Sequence, residues 1–346
     1  MSESLQATAS ARTGRRTGPF PTPARRRRYL IVVGVLLVIA LLATYGILGY
    51  GNRAEFMSRQ WVTIAGLRVE SVVVILVVAF CQSFATVSFQ TATQNRILTP
   101  SIMGFESMYV AIQTAAVFFL GISGVTLLDG PARFFLQAGL MVLMSVLLYS
   151  WLLSGRFGNL HIMLLVGVVI GGGLGSLSTF MQRLLEPNEF DILSARLLGS
   201  ISNASTENLP YVIPVCLAAG VALWLRSRRM NLMALGRDAT NNLGLNHRRE
   251  LMTTLLLVSI MMAMTTSLVG PMTFLGFLVA TLAYSLTDTY DHRLILPVAF
   301  LAGYSVLALA YFTLRNVFYA GGAVTVIVEL VGGLVFLIVL LRKGRL

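Results

Sequence analysis

Apolar stretches of close to twenty residues, separated by short polar links, recur along almost the whole chain. They run from Tyr29 to Tyr50, Val72 to Thr91, Ile102 to Leu120, Phe134 to Leu153, Met163 to Leu184, Leu209 to Leu225, Leu251 to Leu268, Met272 to Leu286, Ile295 to Thr313 and Ala323 to Leu341. A bilayer-spanning helix needs about 20 apolar residues, so the pattern predicts ten transmembrane helices. The stretch that begins at Met272 is the shortest and predicts a tilted or only partly crossing helix.

Ahead of the first stretch, residues 1–28 are rich in Ser, Thr, Pro and Arg, carry no apolar period and end in Arg25 to Arg28. They predict a disordered basic tail before a ten-span unit over 29–346. The first stretch is too long for a cleaved signal core. A twin-arginine export signal at Arg27-Arg28 fits poorly with nine further spans. Composition agrees: 56% of the residues are hydrophobic and only 12% charged, about half the charged share of soluble domains. The expected fold class is an all-α polytopic membrane protein.

The net charge of +12 would point to nucleic acid in a soluble protein. Its placement gives another reading, because Lys and Arg in short loops mark the cytoplasmic side. With the N-terminus inside, nineteen of the 26 basic residues fall in the tail, the C-terminus or inner loops, and seven fall outside: Arg53, Arg59, Arg68, Arg133, Arg183, Arg196 and Arg315. Both termini are therefore expected in the cytoplasm, with no nucleic-acid role. Lys343 is the one lysine, and Val-Leu-Leu-Arg precedes it rather than a glycine loop. A P-loop needs a lysine behind its glycines to reach the phosphates, so no Walker-type nucleotide site is expected. Neither HExxH nor GxSxG occurs, and neither a catalytic residue set, a cofactor nor a metal is expected. Cys81 and Cys216 lie in apolar runs and read as buried thiols. His161, His247 and His292 sit at predicted span ends and read as solvated interfacial residues.

Two local patterns stand out. Gly167, Gly171 and Gly175 recur every four residues, which puts them on one helix face where another backbone can approach. That face predicts a tight helix contact or the border of a pathway between subunits. The longest inner loop, Arg226 to Glu250, can fold as two short helices, Met230 to Leu235 and Asp238 to Leu243. Gly236 would form the elbow, Asp238 would sit near an N-cap and Gly244 would take a C′ position. Such a knob suits docking in a partner's groove.

Phe89-Gln90, Asn95, Pro100 and Gly104 follow one another in a pattern seen in a known family. So do Gly199-Ser200-Ile201-Ser202, Leu235-Gly236 with Leu243-Gly244 eight residues on, Gly270-Pro271, Phe274, Gly276, Asp291-His292-Arg293 and Pro297. In this order and spacing the chain resembles the permeases of ABC importers for ferric siderophores, haem and cobalamin, over nearly its whole length after the tail. The resemblance implies a subunit that pairs into a dimer, with spans 2–5 and 7–10 related as an inverted repeat and the fifth and tenth spans lining the pathway. It implies two ATP-binding subunits under the loop 226–250, touching Leu235, Gly236, Arg237, Asp238, Leu243 and Gly244. An extracytoplasmic substrate-binding protein would deliver the ferric siderophore and would dock on Arg68 and Arg315.

Some positions depart from the family. Its Arg-Leu-Pro-Arg entry to the second span is Arg68-Val69-Glu70-Ser71 here, and its Pro-His in the eighth span is Ala280-Thr281. A divergent copy fits one half of a heterodimer, with a second, different permease as the partner. Thr99 to Phe105 resembles the subset that handles catecholate-type siderophores. The competing class is a secondary, ion-coupled transporter, which would place ionisable residues near the bilayer midplane. Glu106 and Glu329 are the acidic residues placed inside spans, and Glu329 in the tenth is expected to face a subunit interface or the pathway.

Overall fold

The computed structural model describes residues 18–20, 22–51, 58–127, 130–153, 160–202, 204–318 and 324–343, and among these every regular element is helical. In chain order they are α1 (Pro23–Gly49), α2 (Arg59–Ala92), a π-helical turn (Ser101–Phe105) leading into α3 (Glu106–Leu127), α4 (Pro131–Leu153), α5 (Leu160–Gln182), α6 (Pro187–Leu197), α7 (Leu209–Leu225), α8 (Ser227–Met233), α9 (Arg237–Asn242), α10 (His247–Val269), α11 (Leu275–Thr287), α12 (His292–Asn316) and α13 (Thr325–Lys343). Eight of them are long and apolar enough to cross a membrane; α11 and α13 are shorter apolar helices that supply the eighth and tenth expected spans. α1 begins at Pro23 under a Thr22 cap, so Arg25 to Arg28 already belong to the helix, ahead of the expected start at Tyr29.

The centre is built on α2, against which α10 and α12 both pack, and Val74, Ile75, Val78, Val258, Met262, Leu296 and Leu307 of these helices are all fully enclosed. α2 is the most buried of the spans although its second half, Gln82 to Thr91, alternates apolar residues with Gln, Ser and Thr. In lipid there is no hydrophobic drive between helices, so small residues that admit close approach decide the contacts. Ser83 Oγ donates to the Ala299 carbonyl at 3.0 Å, and Gly276 and Gly303 lie where a Cβ would meet the Thr86 and Ser83 hydroxyls. Cys81 and Cys216 meet between α2 and α7 as buried free thiols.

The short eighth span has a structural reason. Thirteen residues rise about 20 Å, against about 30 Å of hydrocarbon. The missing length is supplied by the irregular segment Gly270 to Phe274, which is enclosed by protein, as non-helical backbone at membrane depth must be. Val269 accepts the Ser200 amide at 2.8 Å, and Glu106 accepts the Met272 amide at 3.1 Å together with the Thr273 hydroxyl.

The two halves repeat one packing device. Three residues after Pro100, Met103 lies against Gly167 of α5; three residues after Pro271, Phe274 lies against Gly332 of α13. Thus the third span pairs with the fifth and the eighth with the tenth, as an inverted repeat of spans 2–5 and 7–10 requires.

Between α6 and α7 the chain turns through Gly199. A Cβ there would stand 2.4 Å from the Pro271 carbonyl oxygen and 2.4 Å from Thr325 Cγ2, and Thr325 donates to the Gly199 carbonyl. Gly199→Ala is expected to cost about 1–3 kcal/mol through overpacking, read as a lower melting temperature of the detergent-solubilised protein. Adding Thr325→Ser removes one obstacle but leaves the backbone carbonyl, so the double variant stays well below the wild type; full recovery would mean that the carbonyl yields.

Candidate functional site

The link between α7 and α10 folds as two short helices, at 227–233 and 237–242, the first beginning three residues ahead of the expected Met230 and the second one residue ahead of Asp238. The inner face of the first is anchored by Met230 and Met233, each 1% exposed, and that of the second by Thr240, fully buried. Gly236 makes the elbow at φ 103°, ψ 170° and is itself the residue that caps α9, so Arg237 and Asp238 occupy its first turn. Gly244, at φ 85°, ends α9 as the expected C′ residue. The Gly244 and Leu245 amides bond back to the Asn241 and Thr240 carbonyls. Thr240 Oγ1 reaches the carbonyls of both Leu232 and Gly236, so the two helices hold one angle. Leu235 and Leu243 then project outward, 63% and 56% exposed.

This knob is fixed to the spans by residues that the sequence reading did not single out. Glu250, in the first turn of α10 and 5% exposed, accepts Arg229 at 2.9 Å and a second, very short bond from Arg226. Asn231 of α8 accepts both the backbone amide and Nδ1 of His292, and donates to Asp291 at 3.1 Å. His292 Nε2 in turn lies 2.6 Å from the Thr91 hydroxyl at the end of α2. Gln94, at a left-handed φ of 52°, donates to the Met233 carbonyl. One helix of the knob is therefore bolted to the ends of α2, α10 and α12. A signal for Glu250 existed in the sequence, an acid directly after Arg248 and Arg249 in a loop that also carries Arg226, Arg228 and Arg229; for Asn231 there was none. The expectation of solvated histidines is corrected: His247 and His292 are buried, because the packed link covers the span ends. His161 lies where side chains are not described.

At the opposite ends of the spans, Arg68 and Arg315 share a corner. Arg68 donates to the carbonyls of Ile47, Leu48 and Tyr50 at 3.1, 3.4 and 2.7 Å, closing the C-terminal end of α1. Arg315 is exposed and touches the Tyr311 hydroxyl, which donates to Ser71. Ser71, one of the departures from the resembled family, thus holds Tyr311 in place.

Of the three glycines on α5, Gly167 and Gly171 pack against Met103 and Gly104 of the π turn, the Gly171 Cβ position lying 2.9 Å from the Gly104 Cα. The predicted tight contact is made within the chain. Gly175 meets nothing within 4 Å, and neither do the neighbouring Gly172 and Gly173, which with Ser176 form the open face of this helix. Glu329 is exposed on α13 among Val326, Leu330 and Leu334. Helices α5 and α13 thus each keep one uncovered side.

A sequence profile described as the FecCD transport family matches residues 29–342. The petrobactin import system permease protein FatC of Bacillus anthracis is 46% identical over 332 residues, spanning 96% of this chain and 94% of that protein. The petrobactin import system permease protein YclO of Bacillus subtilis (strain 168) is 33% identical over 307 residues, 89% of this chain and 98% of its own length. The petrobactin import system permease protein FatD of Bacillus anthracis, at 22% identity, spans 92% of each chain. A solved structure of an inward-facing transporter, described as of the metal-chelate ABC type, superimposes with a TM-score of 0.78 at 20% identity, covering 91% of this chain and 99% of its own. At that identity the likeness concerns the fold, and it bears out the polytopic helical architecture expected from the sequence.

Proposed function

This chain belongs to the FecCD transport family, and on that premise we propose that it is the membrane permease subunit of an ATP-driven importer of ferric siderophores, forming one side of the translocation pathway in a dimer. The observation that carries the coupling half of this reading is the rigid α8–α9 knob. Two leucines with more than half their surface exposed, Leu235 and Leu243, stand on a support tied to three spans. A flexible link would dissipate a push from below; this one transmits it to α2, α10 and α12. Two ATP-binding subunits dock there, with Arg237 and Asp238 beside the leucines. Nucleotide is bound and hydrolysed by those subunits and not by this chain.

The knob side is cytoplasmic and both termini lie there, in keeping with the distribution of Lys and Arg. Residues 1–28 form a basic cytoplasmic segment before the permease domain. The second permease is a different chain: FatC and FatD of Bacillus anthracis are two permease proteins of one petrobactin import system, and this chain is much nearer the first. Petrobactin is accordingly the first cargo to test. The open faces of α5 and α13, with Glu329 and the glycines about 172–175, meet at the dimer interface and border the pathway. Relatives spanning nearly the whole chain are named as import-system permeases, which favours this reading over an ion-coupled carrier.

On the outer side, an extracytoplasmic binding protein docks over Arg68 and Arg315. Outer-face charge steers encounter and sets its salt dependence, and an arginine fork can grip a carboxylate with two bonds. Their contacts differ, so the variants are expected to differ. Arg315→Glu slows association of the binding protein several-fold at low salt and leaves the melting temperature unchanged, while Arg68→Glu also lowers the melting temperature by releasing the end of α1. An on-rate unchanged in both at low salt would leave them as helix anchors only. The reading as a whole is tested by uptake of radiolabelled ferric petrobactin in cells that carry or lack this chain. Wild-type uptake in the deleted strain would refute it.

A further inference from the structure

On the knob side of the molecule, α11 is joined to α12 by a short link, Asp288 to Asp291. Three other parts of the chain hold it. Asp288, which ends α11 at a left-handed φ of 45°, pairs with the Arg28 guanidinium in the first turns of α1. Thr289 donates to the Pro19 carbonyl at 3.1 Å and accepts the Asp291 amide at 3.3 Å. Asp291 accepts from Asn231 of α8 at 3.1 Å and caps α12 through the Arg293 amide at 3.1 Å. Because Asn231 also holds His292, a shift of α8 carries the link with it. Between these anchored residues the Tyr290 ring stands 82% exposed, more than any other large apolar side chain among the described residues.

Tyr290 and Leu235 line one open cleft of about 740 Å³, together with Ala234, Tyr284 and Ile295. Ile295 is buried and Tyr284 half-buried, while Leu235 and Tyr290 are exposed. Arg96 lies over the Tyr284 ring at 4.7 Å and stiffens that wall. Exposed charges, Arg25 and Asp288, also border the cleft, as do Gly18 and Pro19 of the segment ahead of α1. Apolar groups in a recess with charge around it are the anatomy of a protein interface, an apolar centre within a polar rim. Tyrosines also gather at the bilayer surface. Tyr290, however, belongs to a link rather than to a span and borders the same space as the knob leucine, whereas the exposed Phe119 and Trp151 lie on spans.

We propose that the α11–α12 link is a second docking element for the ATP-binding subunit, with Tyr290 and Leu235 as the two jaws of a cleft that receives an apolar side chain of that subunit. The inference rests on the reading of the knob as the dock and extends it to a surface outside 226–250. A subunit seated on Leu235 meets Tyr290 across the cleft, and few residues other than a rigidly presented aromatic anchor contribute as much to binding. The link also adds a route for the push. Through α8 the knob is tied to the ends of α2, α10 and α12, whereas Tyr290 stands at the end of α11, which packs on α13, the helix that carries Glu329.

The test titrates the ATP-binding subunit onto the two-permease complex in lipid nanodiscs and reads its dissociation constant. Tyr290→Ala is expected to weaken binding about tenfold, the scale of a truncated aromatic anchor, with the melting temperature unchanged because the ring is exposed. Tyr290→Phe keeps the ring and binds like the wild type. Leu235→Ala also weakens binding, and the double variant loses less than the product of the two, because both jaws hold one side chain. Tyr290→Trp, read as the difference from the wild type, gains emission that shifts to the blue when the subunit is added and is spared by brominated lipid. Unchanged affinity in Tyr290→Ala, with Leu235→Ala weakened, overturns the inference and leaves the knob as the whole dock. Tighter binding in Tyr290→Ala overturns it too, and losses that multiply in full overturn the shared cleft. Quenching of Tyr290→Trp by brominated lipid, with no response to the subunit, makes the residue an interfacial anchor and likewise overturns it. If neither Leu235→Ala nor Tyr290→Ala changes the affinity, the reading of the knob itself falls.

Discussion

Gly236→Val is expected to abolish most uptake, by about tenfold or more, while the transporter still inserts, assembles and hydrolyses ATP. The residue sits at φ 103°, ψ 170°, a region that only glycine enters without a cost of about 1–3 kcal/mol. Its added Cβ would also stand 3.4 Å from Gln94 Nε2, the group that ties the elbow to the end of α2 through the Met233 carbonyl. Relief comes from turning α9 away, which moves Leu243 relative to Leu235. Because the elbow lies outside the spans, membrane insertion is spared. A shift of about 1.4 kcal/mol in the productive orientation is already tenfold. Gly244→Val meets no neighbouring atom within 4 Å and strains only its own left-handed φ, so its effect should be smaller. Uptake and ATPase turnover, measured side by side in proteoliposomes, check both; normal coupling in Gly236→Val would reduce the link to a connection.

Removing the carboxylate of Glu250 is the second large effect. Glu250→Ala leaves Arg226 and Arg229 facing each other without their shared acid. Loss of one partner from a fully buried pair costs about 3–5 kcal/mol. Here Arg229 is about half exposed, with 52% of its side chain accessible, and its share is screened, so about 2–3 kcal/mol is the expected loss. The knob then rests on Asn231 and on the Gln94 bond to Met233 without its tie to α10, and uptake falls well below ATPase activity. Glu250→Gln retains an acceptor and should fall between the two. Equal thermal stability and uptake in all three proteins would show that the ion pair does not support the knob.

The spans were legible because hydrocarbon imposes a length and an apolar composition on each of them, and because α2 to α5, α7, α10 and α12 satisfy both. What escaped the pattern depends on contacts between distant residues. The second half of α2 reads as semi-polar, yet Gln82, Ser83 and Thr86 are buried, because Gly276 and Gly303 let neighbouring helices close on their hydroxyl and amide groups. α6 carries Pro187, Glu189, Asp191 and Arg196 among its eleven residues, too polar and too short for a span signal. The two glycines of the knob were readable, since a β-branched or bulky residue is expelled from positive φ. The acid beneath them showed only as a carboxylate in an arginine-rich loop; which arginines it holds was not readable, because they lie 21 and 24 residues away in sequence. On α5 the spacing of Gly167, Gly171 and Gly175 announced a close approach, and Met103 and Gly104 made it. The face left open by Gly172 and Gly173 belongs to the same glycine-rich run but not to its four-residue period.

The central claim is that transport through this chain is driven by ATP hydrolysed on separate subunits that act through the α8–α9 knob. The most direct measurement reconstitutes the chain with its partner permease in liposomes, with and without the ATP-binding subunits, and follows ferric siderophore presented by the external binding protein. Uptake should require those subunits and ATP, should persist when ion gradients are collapsed, and should be lost in Gly236→Val. Uptake without the ATP-binding subunits that follows an imposed ion gradient would contradict the account.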